Sequence, residues 1–512
     1  MRKYVLFDNL TRHILLGCLI LVEFIATMPI SSAFADTEFH EIDTFVESQM
    51  QELHIPGLAL AVVQDNRIVY IQGYGITDPS GRPVTPQTPF IIGSMTKSFT
   101  ALAIMQLVEQ GKIDLDSPVQ RYIPWFRVAD PASSNQITVR HLLNQTSGIS
   151  TADGNGDLTR DDTTDNALQR RAHALQSIQL TQPVGVTFQY SNANYDLLGL
   201  LVEVVSGQSY ENYIQEHIFT PLDMHHSATS PTATQADGLA VGYRYWFGIP
   251  AVMKTPFPRG SLPSGYLISS AEDLSHYLIA EMNDGHYKDA SVLSPEGIAE
   301  LHRPMVAAFD GNQYAMGWFV GRSGDMKVIW HNGTVPGFNA KMMFVPSQGL
   351  GVVALMNASS QINEARKEAI VDGVVNLLQG VKPEPTQANQ VVTMLYAVIT
   401  LIAIIPLVNL IKSISTLRRW RADPSQRPHG ARLAWSIGIP SGMNLFVLFL
   451  FLILQPQMFG ISLRSTLLLS PDIGSIMIVS IAVALCWFIL CPFLFRQLIR
   501  RNRYPYAGRK GT

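Results

Sequence analysis

The pattern of hydrophobic and polar residues changes from strand-like to helical and then back to strand-like along the chain. Residues 57–74 hold two short apolar runs around a polar pair, which predicts a β-hairpin. An apolar-periodic run that begins near Ser94 and continues to about Gln110 predicts a buried helix. From there to about residue 300 the pattern is typical of helices joined by loops, and the polar stretch 149–167 is expected to be an exposed loop.

Strand-like segments return in the following part of the chain. Short apolar or alternating runs, separated by turns, lie at residues 314–320, 327–330, 341–345 and 351–356. An amphipathic helix is predicted after them, at 366–378. The early hairpin and the late strands therefore predict one sheet built from both ends of a domain, with a helical insert between the two halves. The predicted fold class is α/β (α+β).

Three long apolar segments follow this domain. They lie at about 391–411, 433–454 and 474–495, and each is long enough to span a bilayer as a helix. The Pro-containing stretch 381–390 is predicted to be the linker before them. Residues 391–512 are therefore predicted to be a membrane domain with three transmembrane helices and a basic cytoplasmic tail.

Residues 1–35 have the pattern of a secretory signal peptide. Basic residues near the start are followed by a mostly apolar run, and residues 33–35 have the small-x-small form of a cleavage site. Glu23 interrupts the apolar run, so an uncleaved anchor remains the alternative to a cleaved peptide. In both cases the domain at 36–380 is expected to be exported.

Charged residues are divided unevenly between these regions. Residues 36–381 hold 20 Lys+Arg and 35 Asp+Glu, a net charge of −15, which argues against nucleic acid as a partner. The connector 412–432 and the C-terminal tail are rich in Lys and Arg, whereas the connector 455–473 holds one Arg and no Lys. The positive-inside rule then predicts a multi-pass protein of the cell membrane, with the bilayer as a partner and the domain on the extracytoplasmic side.

The cysteines and histidines predict neither a disulfide nor a metal site in that domain. All three cysteines lie outside residues 36–390. His225 and His226 are adjacent, but no further ligands flank them at metal-binding spacing. No metal and no cofactor are therefore expected.

Ser94 and Lys97 form the first candidate pair for chemistry. Residues three apart on a helix share a face, so the Lys97 ammonium can approach the Ser94 hydroxyl. The N-terminus of the helix adds free N–H groups and a positive partial charge. This arrangement suits a nucleophilic serine whose proton must leave and whose attack produces an oxyanion. A helix cap beside a solvated lysine is the alternative that the pair alone leaves open.

Three further motifs follow in order along the chain. They are Leu142-Leu143-Asn144-Gln145-Thr146-Ser147-Gly148, Tyr190-Ser191-Asn192 and His331-Asn332-Gly333-Thr334. Together with Ser94-x-x-Lys97, this ordered set resembles the serine β-lactamase and penicillin-binding protein superfamily over roughly residues 40–380. The closer resemblance is to the branch with Tyr-x-Asn, which holds class C β-lactamases, D-alanyl-D-alanine carboxypeptidases, D-aminopeptidases and related esterases.

The resemblance implies a fold and a set of catalytic residues. The fold would be the antiparallel sheet flanked by helices of β-lactamases and DD-peptidases. Ser94 would be the nucleophile that forms an acyl-enzyme. Lys97 would remove or relay its proton, which requires desolvation or nearby positive charge to lower the lysine pKa. Tyr190 would be the partner in proton transfer, with its phenol kept acidic by cationic neighbours.

The resemblance also implies a set of substrate-binding residues. Asn192 would hydrogen-bond the substrate amide, and His331 would line the same site. Gly333 would permit close backbone approach on an edge strand. The N–H groups of Ser94 and Thr334 would form an oxyanion hole.

His331 is a departure from the family pattern, because many relatives carry Lys there. Relatives with His-x-Gly are commonly peptidases or esterases, so the departure disfavours an efficient β-lactamase. Each residue also has a simpler interpretation when taken alone. Tyr190 could be a packed aromatic side chain, Asn192 a helix cap and His331 a surface loop residue.

The ordered motifs predict an exported, membrane-anchored serine hydrolase that acts through an acyl-serine intermediate. A small-molecule or peptide substrate is expected, first of all a D-amino-acid peptide of the peptidoglycan type, with an esterase or D-aminopeptidase as the close alternative. A sensor that binds penicillin or wall peptide with little turnover is the alternative of another class, because three spans exceed what anchoring requires. The chain has no Gly-x-Ser-x-Gly, His-Glu-x-x-His or P-loop motif, so α/β-hydrolase, zincin and nucleotide-binding interpretations lack support.

Overall fold

The computed structural model describes residues 30–155, 161–234, 238–360, 363–383, 388–426, 431–459 and 462–501. The strands in chain order are β1 (Gly57–Gln64), β2 (Arg67–Gly75), β3 (Phe90–Ile91), β4 (Tyr243–Trp246), β5 (Ile249–Val252), β6 (Ile268–Ser269), β7 (His286–Tyr287), β8 (Ala290–Ser291), β9 (Val306–Ala307), β10 (Gln313–Tyr314), β11 (Phe319–Ser323), β12 (Met326–Val335), β13 (Phe338–Val345), β14 (Leu350–Met356) and β15 (Ala358–Ser359).

The helices up to residue 378 are α1 (Ile30–Leu53), α2 (Thr96–Glu109), α3 (Pro131–Gln136), α4 (Val139–Leu143), α5 (Thr151–Gly154), α6 (Ala167–Ala174), α7 (Asn192–Ser206), α8 (Tyr210–Ile214), α9 (Leu262–Gly265), α10 (Ala271–Met282), α11 (Pro295–Leu301) and α12 (Glu364–Leu378). The C-terminal helices are α13 (Ala388–Ala422), α14 (Ala431–Phe449), α15 (Gln455–Phe459), α16 (Leu463–Leu469) and α17 (Pro471–Arg501). The π-helical turn Leu450–Leu454 joins α14 to α15.

Eight strands form the main sheet in the order β2-β1-β14-β13-β12-β11-β10-β9, and every neighbouring pair is antiparallel. The first hairpin thus lies beside the last long strand, which confirms the predicted sheet built from both ends of the domain. At the hairpin turn, Asp65 has φ 49° and Asn66 has φ 62°. Asp and Asn tolerate this left-handed conformation better than most residues, so the turn is fixed by local sequence.

Helices cover both faces of the sheet. Along β1, Leu58 and Leu60 belong to a core cluster with α1 and α12, whereas Ala59 and Ala61 belong to the larger cluster with the helical insert. Alternate side chains of a strand point to opposite faces, which accounts for the division. The strand is therefore an unbroken apolar run, as expected where both faces are buried.

The strands near the candidate site differ from their predicted bounds. The segment 314–320 is not one strand, because a turn at Gly317 separates β10 from β11. The strand β12 is longer than predicted and extends to Val335. Its pairing with β11 ends at Trp330, so the part from His331 onwards pairs with β13 alone and has one free edge.

One expectation and one alternative interpretation about exposure are wrong. The stretch 149–167 is not an exposed loop at its start, because Ile149 is buried and α5 packs there with Gly154 inside. His331 is a buried strand residue, not a surface loop residue. In both places a polar or glycine-rich local sequence is covered by the rest of the fold, which local pattern does not reveal.

Within the described part of the chain, three C-terminal helices are long and apolar enough to cross a membrane, at Tyr396–Ala422, Ala434–Gln457 and Pro471–Phe493. The helix α13 already begins at Ala388, so the end of the predicted linker 381–390 is helical, while residues 384–387 lie outside the described residues. The predicted signal peptide 1–35 also lies outside them up to residue 29, and its last six residues belong to α1.

Candidate active site

Ser94 lies in a tight 3-10 turn, Gly93–Met95, that leads directly into α2. Gly93 has φ 57°, and a Cβ there would lie 2.5 Å from backbone atoms of Gly333 and Thr334. Both the backbone conformation and the available space therefore require glycine at this position. The turn leaves Ser94 partly exposed between buried neighbours, so its hydroxyl is free to meet a bound molecule.

Lys97 is fully buried one turn after Ser94. Its Nζ donates to Ser94 Oγ at 2.9 Å, to Asn192 Oδ1 at 2.7 Å and to the carbonyl oxygen of Ser264 at 2.6 Å. An ammonium group has three donors, so these acceptors satisfy it completely. The predicted approach of the lysine to the serine is present, and the alternative of a solvated Lys97 is wrong.

The environment of Lys97 favours its neutral form. Burial lowers the pKa of Lys97 to about 7, and the Asp196 carboxylate opposes part of that decrease. A lysine with this pKa is neutral in a large fraction of molecules near physiological pH. Its free lone pair then allows the hydrogen bond to reverse, with the Ser94 hydroxyl donating to Nζ, as a general base for a serine nucleophile requires.

Tyr190 packs beside the same lysine. The Lys97 Nζ lies 4.8 Å from the centre of the Tyr190 ring. A hydrogen bond with Ser94 lowers the pKa of Tyr190, but burial outweighs it and raises that pKa well above the ordinary value. The expectation of an acidic phenol is therefore wrong. A neutral hydroxyl can accept one proton while donating another, so Tyr190 suits a proton relay rather than a charged base.

Asn192 joins Lys97 to a segment that the sequence did not connect with the site. It is the first residue of α7, whose N-cap is Ser191, so Asn192 is not the helix cap. Its Oδ1 accepts from Lys97, and its Nδ2 donates to Asn155 Oδ1 at 2.8 Å. Asn155 follows α5, and the polar composition around it gave no signal of this contact.

The loop 142–148 supports the Tyr-x-Asn segment through Gln145. This residue has φ 59° and is buried. Its Oε1 accepts from the Ser191 N–H at 2.9 Å and from Asn194 Nδ2 at 2.6 Å. Gln145 therefore fixes the entry into α7, which in turn positions Asn192 against Lys97.

The free edge of β12 lies against the Ser94 turn. A Cβ on Gly333 would lie 2.0 Å from the Ile92 carbonyl oxygen and 3.0 Å from the Ser94 nitrogen. The predicted close backbone approach at Gly333 is therefore present, and the free edge is local, since β12 pairs with β11 as far as Trp330. This contact brings the Ser94 and Thr334 backbones together, as an oxyanion hole would require.

His331 is neutral at the buried end of this edge. Its Nδ1 is 2.6 Å from the Asn332 carbonyl oxygen, and its Nε2 is 3.4 Å from the Tyr314 hydroxyl. Burial lowers the pKa of His331 to about 3, and the nearby Lys97 acts in the same direction. At this position the chain therefore carries no positive charge at neutral pH, unlike the relatives with Lys.

A buried ion pair behind Lys97 was missed from the sequence. Arg171 Nε lies 2.9 Å from Asp196 Oδ2, and the two side chains are 5% and 1% exposed. Burial raises the pKa of Asp196, while Arg171 and Lys97 oppose that increase. Asp196 lies one turn after Asn192 on α7, and its acidic side chain within an otherwise apolar helix was the available signal.

These contacts join four separate parts of the chain around Ser94: the N-terminus of α2, the start of α7, α9 through the Ser264 carbonyl, and the edge of β12. The set supplies a hydroxyl, a lysine of lowered pKa, a neutral phenol and convergent N–H groups, the parts needed for acyl transfer. Among the described residues, no group of three or more His, Cys, Asp and Glu could hold a metal ion.

Comparison with known proteins identifies the same region. The beta-lactamase family model matches residues 42–376. Protein flp of Staphylococcus aureus strain MW2 is 33% identical over 341 residues, which cover 66% of this chain and 66% of that protein. The match thus spans slightly less than two thirds of that relative. Penicillin-binding protein 4 of Amycolatopsis lactamdurans is 30% identical over 316 residues, covering 60% of this chain and 82% of that protein.

A solved structure shows the same fold. The octameric penicillin-binding protein homologue from Pyrococcus abyssi superposes with a TM-score of 0.59 at 31% sequence identity, covering 68% of this chain and 78% of that one. The resemblance that the motifs indicated is therefore confirmed at the level of family and fold.

Proposed function

Because the chain belongs to the beta-lactamase family, we propose that it is a serine hydrolase that cleaves an amide or ester through an acyl-Ser94 intermediate. The observation that carries the proposal is the buried Lys97, whose pKa is lowered to about 7 and whose Nζ is 2.9 Å from Ser94 Oγ. A structural lysine on an exposed helix would have neither the burial nor three converging acceptors.

The reaction would proceed in two acyl transfers. Ser94 Oγ attacks the substrate carbonyl carbon, and its proton passes to the neutral Lys97 directly or through Tyr190. The N–H groups of Ser94 and Thr334 bind the oxyanion. The tetrahedral intermediate then expels an amine or alcohol, which takes up the proton. Water then attacks the acyl carbon of the acyl-enzyme. The bond to Ser94 Oγ breaks, the carboxylic acid is released, and the proton lost by the water returns to Ser94 Oγ.

The predicted location favours a cell-wall substrate. A domain held outside the membrane meets D-amino-acid peptides of the peptidoglycan type, the first substrate class of this proposal. Support for the location comes from the apolar C-terminal helices and the distribution of Lys and Arg between their connectors.

The neutral His331 favours a second candidate within the same chemistry. A substrate carboxylate bound on this side would gain no ion pair from His331, because that side chain is neutral. Esters, and peptides whose free carboxylate lies away from His331, do not depend on such an ion pair. An esterase or D-aminopeptidase is therefore the second candidate.

A labelling experiment tests the nucleophile. Full-length protein in detergent or vesicles is treated with a fluorescent fluorophosphonate and, separately, a fluorescent penicillin. Covalent labelling of the wild type by at least one probe, and its loss in Ser94→Ala, is the expected result. If neither probe labels the folded wild type, the hydrolase proposal is contradicted.

A hydrolysis panel separates the candidates. Peptides ending in D-Ala-D-Ala, peptides with an N-terminal D-residue, short-chain esters and β-lactams are compared by kcat/KM. Preference for the first class supports the wall carboxypeptidase, and preference for the second or third supports the alternative. Stable labelling without turnover, together with unchanged ligand binding by Ser94→Ala, would instead indicate a sensor.

A further inference from the structure

The small hairpin β4–β5 ends in a tip whose apolar side chains remain largely exposed. Trp246, Phe247, Ile249 and Val252 are 45%, 57%, 68% and 50% exposed. The tip residues Phe247 and Gly248 have φ 49° and 81°, a turn that usually carries Asn or Asp before Gly. Neither turn propensity nor burial therefore accounts for a phenylalanine at position 247.

The base of the hairpin is held rigidly, in contrast to its tip. The Tyr243 N–H donates to the Asn357 carbonyl oxygen at 2.8 Å. Tyr245 is buried, its hydroxyl donates to the Leu53 carbonyl oxygen at 2.9 Å, and Lys367 Nζ lies 4.4 Å from its ring centre. These contacts fix the direction in which the apolar tip projects.

The tip touches the C-terminal helices at the ends where two of them begin. The Phe247 N–H donates to Asp472 Oδ2 at 3.1 Å, and the Tyr396 hydroxyl donates to the same oxygen at 2.9 Å. Asp472 lies in the first turn of α17, and Tyr396 lies near the start of the apolar run 391–411 in α13. The hairpin therefore lies at the level at which these two spans start on the same side of the membrane.

A second attachment lies on the same side of the helices. The short helix α15 contains the end of the second span, and its backbone comes within 8 Å of α5. The end of the second span and the starts of the first and third are therefore all close to this domain. In a bilayer spanned by these helices, the membrane–water interface would lie at this end of them.

We propose that the β4–β5 tip inserts into the lipid headgroup and upper acyl-chain region of the bilayer, on the side that carries the catalytic domain. Trp and other aromatic side chains are enriched at this depth, where an apolar ring and polar surroundings are both satisfied. Trp246 and Phe247 pack edge to face with ring centres 5.6 Å apart, which presents one continuous apolar wedge. The proposal requires that the apolar helices span a bilayer, and it does not require hydrolase activity.

Site-directed spin labelling tests the insertion directly. Full-length protein with its native cysteines replaced by serine carries a single nitroxide at Phe247→Cys and is reconstituted in phospholipid vesicles. Val204→Cys is the matched control, since it is 48% exposed on α7. Oxygen partitions into lipid and a neutral nickel chelate into water, so their relative collision rates report the surroundings of each label.

The label at 247 is expected to collide more with oxygen than with the nickel chelate, and the label at 204 is expected to do the reverse. Water-like accessibility at 247 would overturn the proposal. Protection from both reagents would also overturn it, because the tip would then be covered by protein.

A second measurement avoids the labelled variant. Wild type and Trp246→Phe are compared in vesicles whose lipids carry bromine near the headgroup end of the acyl chains. Bromine quenches nearby tryptophan, so the wild type is expected to lose more fluorescence than the variant, whose other tryptophans are unchanged. Equal quenching in the two proteins would contradict insertion of Trp246.

Discussion

Lys97 is the residue whose protonation state should govern the reaction. Because burial lowers its pKa to about 7, the fraction of neutral lysine rises as the pH increases through that value. The rate of Ser94 acylation should therefore be low at about pH 5, half-maximal near 7 and constant by about pH 9. The rate of Ser94 acylation is measured by single-turnover labelling with a fluorophosphonate at a series of pH values across this range.

Lys97→Arg is the matched control for this prediction. Arginine keeps a positive charge near Ser94 but cannot lose its proton at accessible pH. Its acylation rate should fall by a factor of about 10²–10⁴, the usual contribution of general base catalysis. A variant that keeps the wild-type rate and pH midpoint would show that Lys97 is not the base.

We expect Asp196 to act on the reaction through Lys97 rather than by touching substrate. Its negative charge raises the pKa of Lys97, so Asp196→Asn should move the midpoint of the acylation profile to lower pH. The same change leaves the buried Arg171 without its partner at 2.9 Å and should destabilise the fold by about 3–5 kcal/mol. The pH profile of acylation and the free energy of unfolding are both measured on the Asp196→Asn protein.

The double variant Arg171→Met/Asp196→Asn separates the two effects of Asp196. It removes the buried guanidinium, so most of the lost stability should return, because a buried pair replaced as a whole costs little. The acidic shift of the profile should remain, since the carboxylate is still absent. If the pH midpoint of acylation and the stability both returned to their wild-type values in the double variant, the role of Asp196 would be purely structural.

At the scale of elements, the site depends on contact between the Ser94 turn and the edge of β12. Gly93→Ala would bring a Cβ to 2.5 Å from Gly333 and Thr334 and must displace the strand. Loss of one oxyanion donor typically lowers the rate by about 10²–10³, so acylation should fall by that order. Labelling rate and thermal unfolding are measured together to distinguish misalignment from unfolding.

Gly265→Ala is the control at a neighbouring glycine. A Cβ on Gly265 meets nothing closer than 3.8 Å, and its own φ is not positive. This variant should label at close to the wild-type rate. A Gly93→Ala protein that labels equally fast would mean that the close approach of the two backbones is not needed for acylation.

The sequence predicts those features of the fold that neighbouring residues determine, and it misses those that depend on contacts between distant segments. The hairpin turn at Asp65 and the end of α2 at Glu109 depend on neighbouring residues, and the sequence predicted the hairpin and a helix end near Gln110. The burial of His331 and the contact between Asn192 and Asn155 depend on segments far apart in the chain, and both were missed. The candidate site residues were predicted from recognisable motifs, and among their supports Gln145 lies in such a motif whereas Asn155 and Arg171 do not.

At the scale of the whole molecule, the catalytic domain and the apolar helices are connected at the side of the active-site strand. The Tyr243 N–H, at the base of the hairpin β4–β5, also lies 3.4 Å from the carbonyl oxygen of Gly337, in the turn that follows Thr334. The tip of the same hairpin meets Asp472 at the start of α17. One short element thus links the helices to the strand beside Ser94, and its position relative to the bilayer depends on the topology.

The topology can be tested in intact cells with single cysteines. In a background without native cysteines, Val204→Cys lies on the exposed face of α7, and Ser425→Cys lies in the basic connector after α13. Because Lys- and Arg-rich connectors stay in the cytoplasm, a membrane-impermeant maleimide should label position 204 from outside. Position 425 should react only after the membrane is opened. The reverse result would put Ser94 and the hairpin tip on the cytoplasmic side and remove the argument for a cell-wall substrate, while leaving the acyl-transfer chemistry intact.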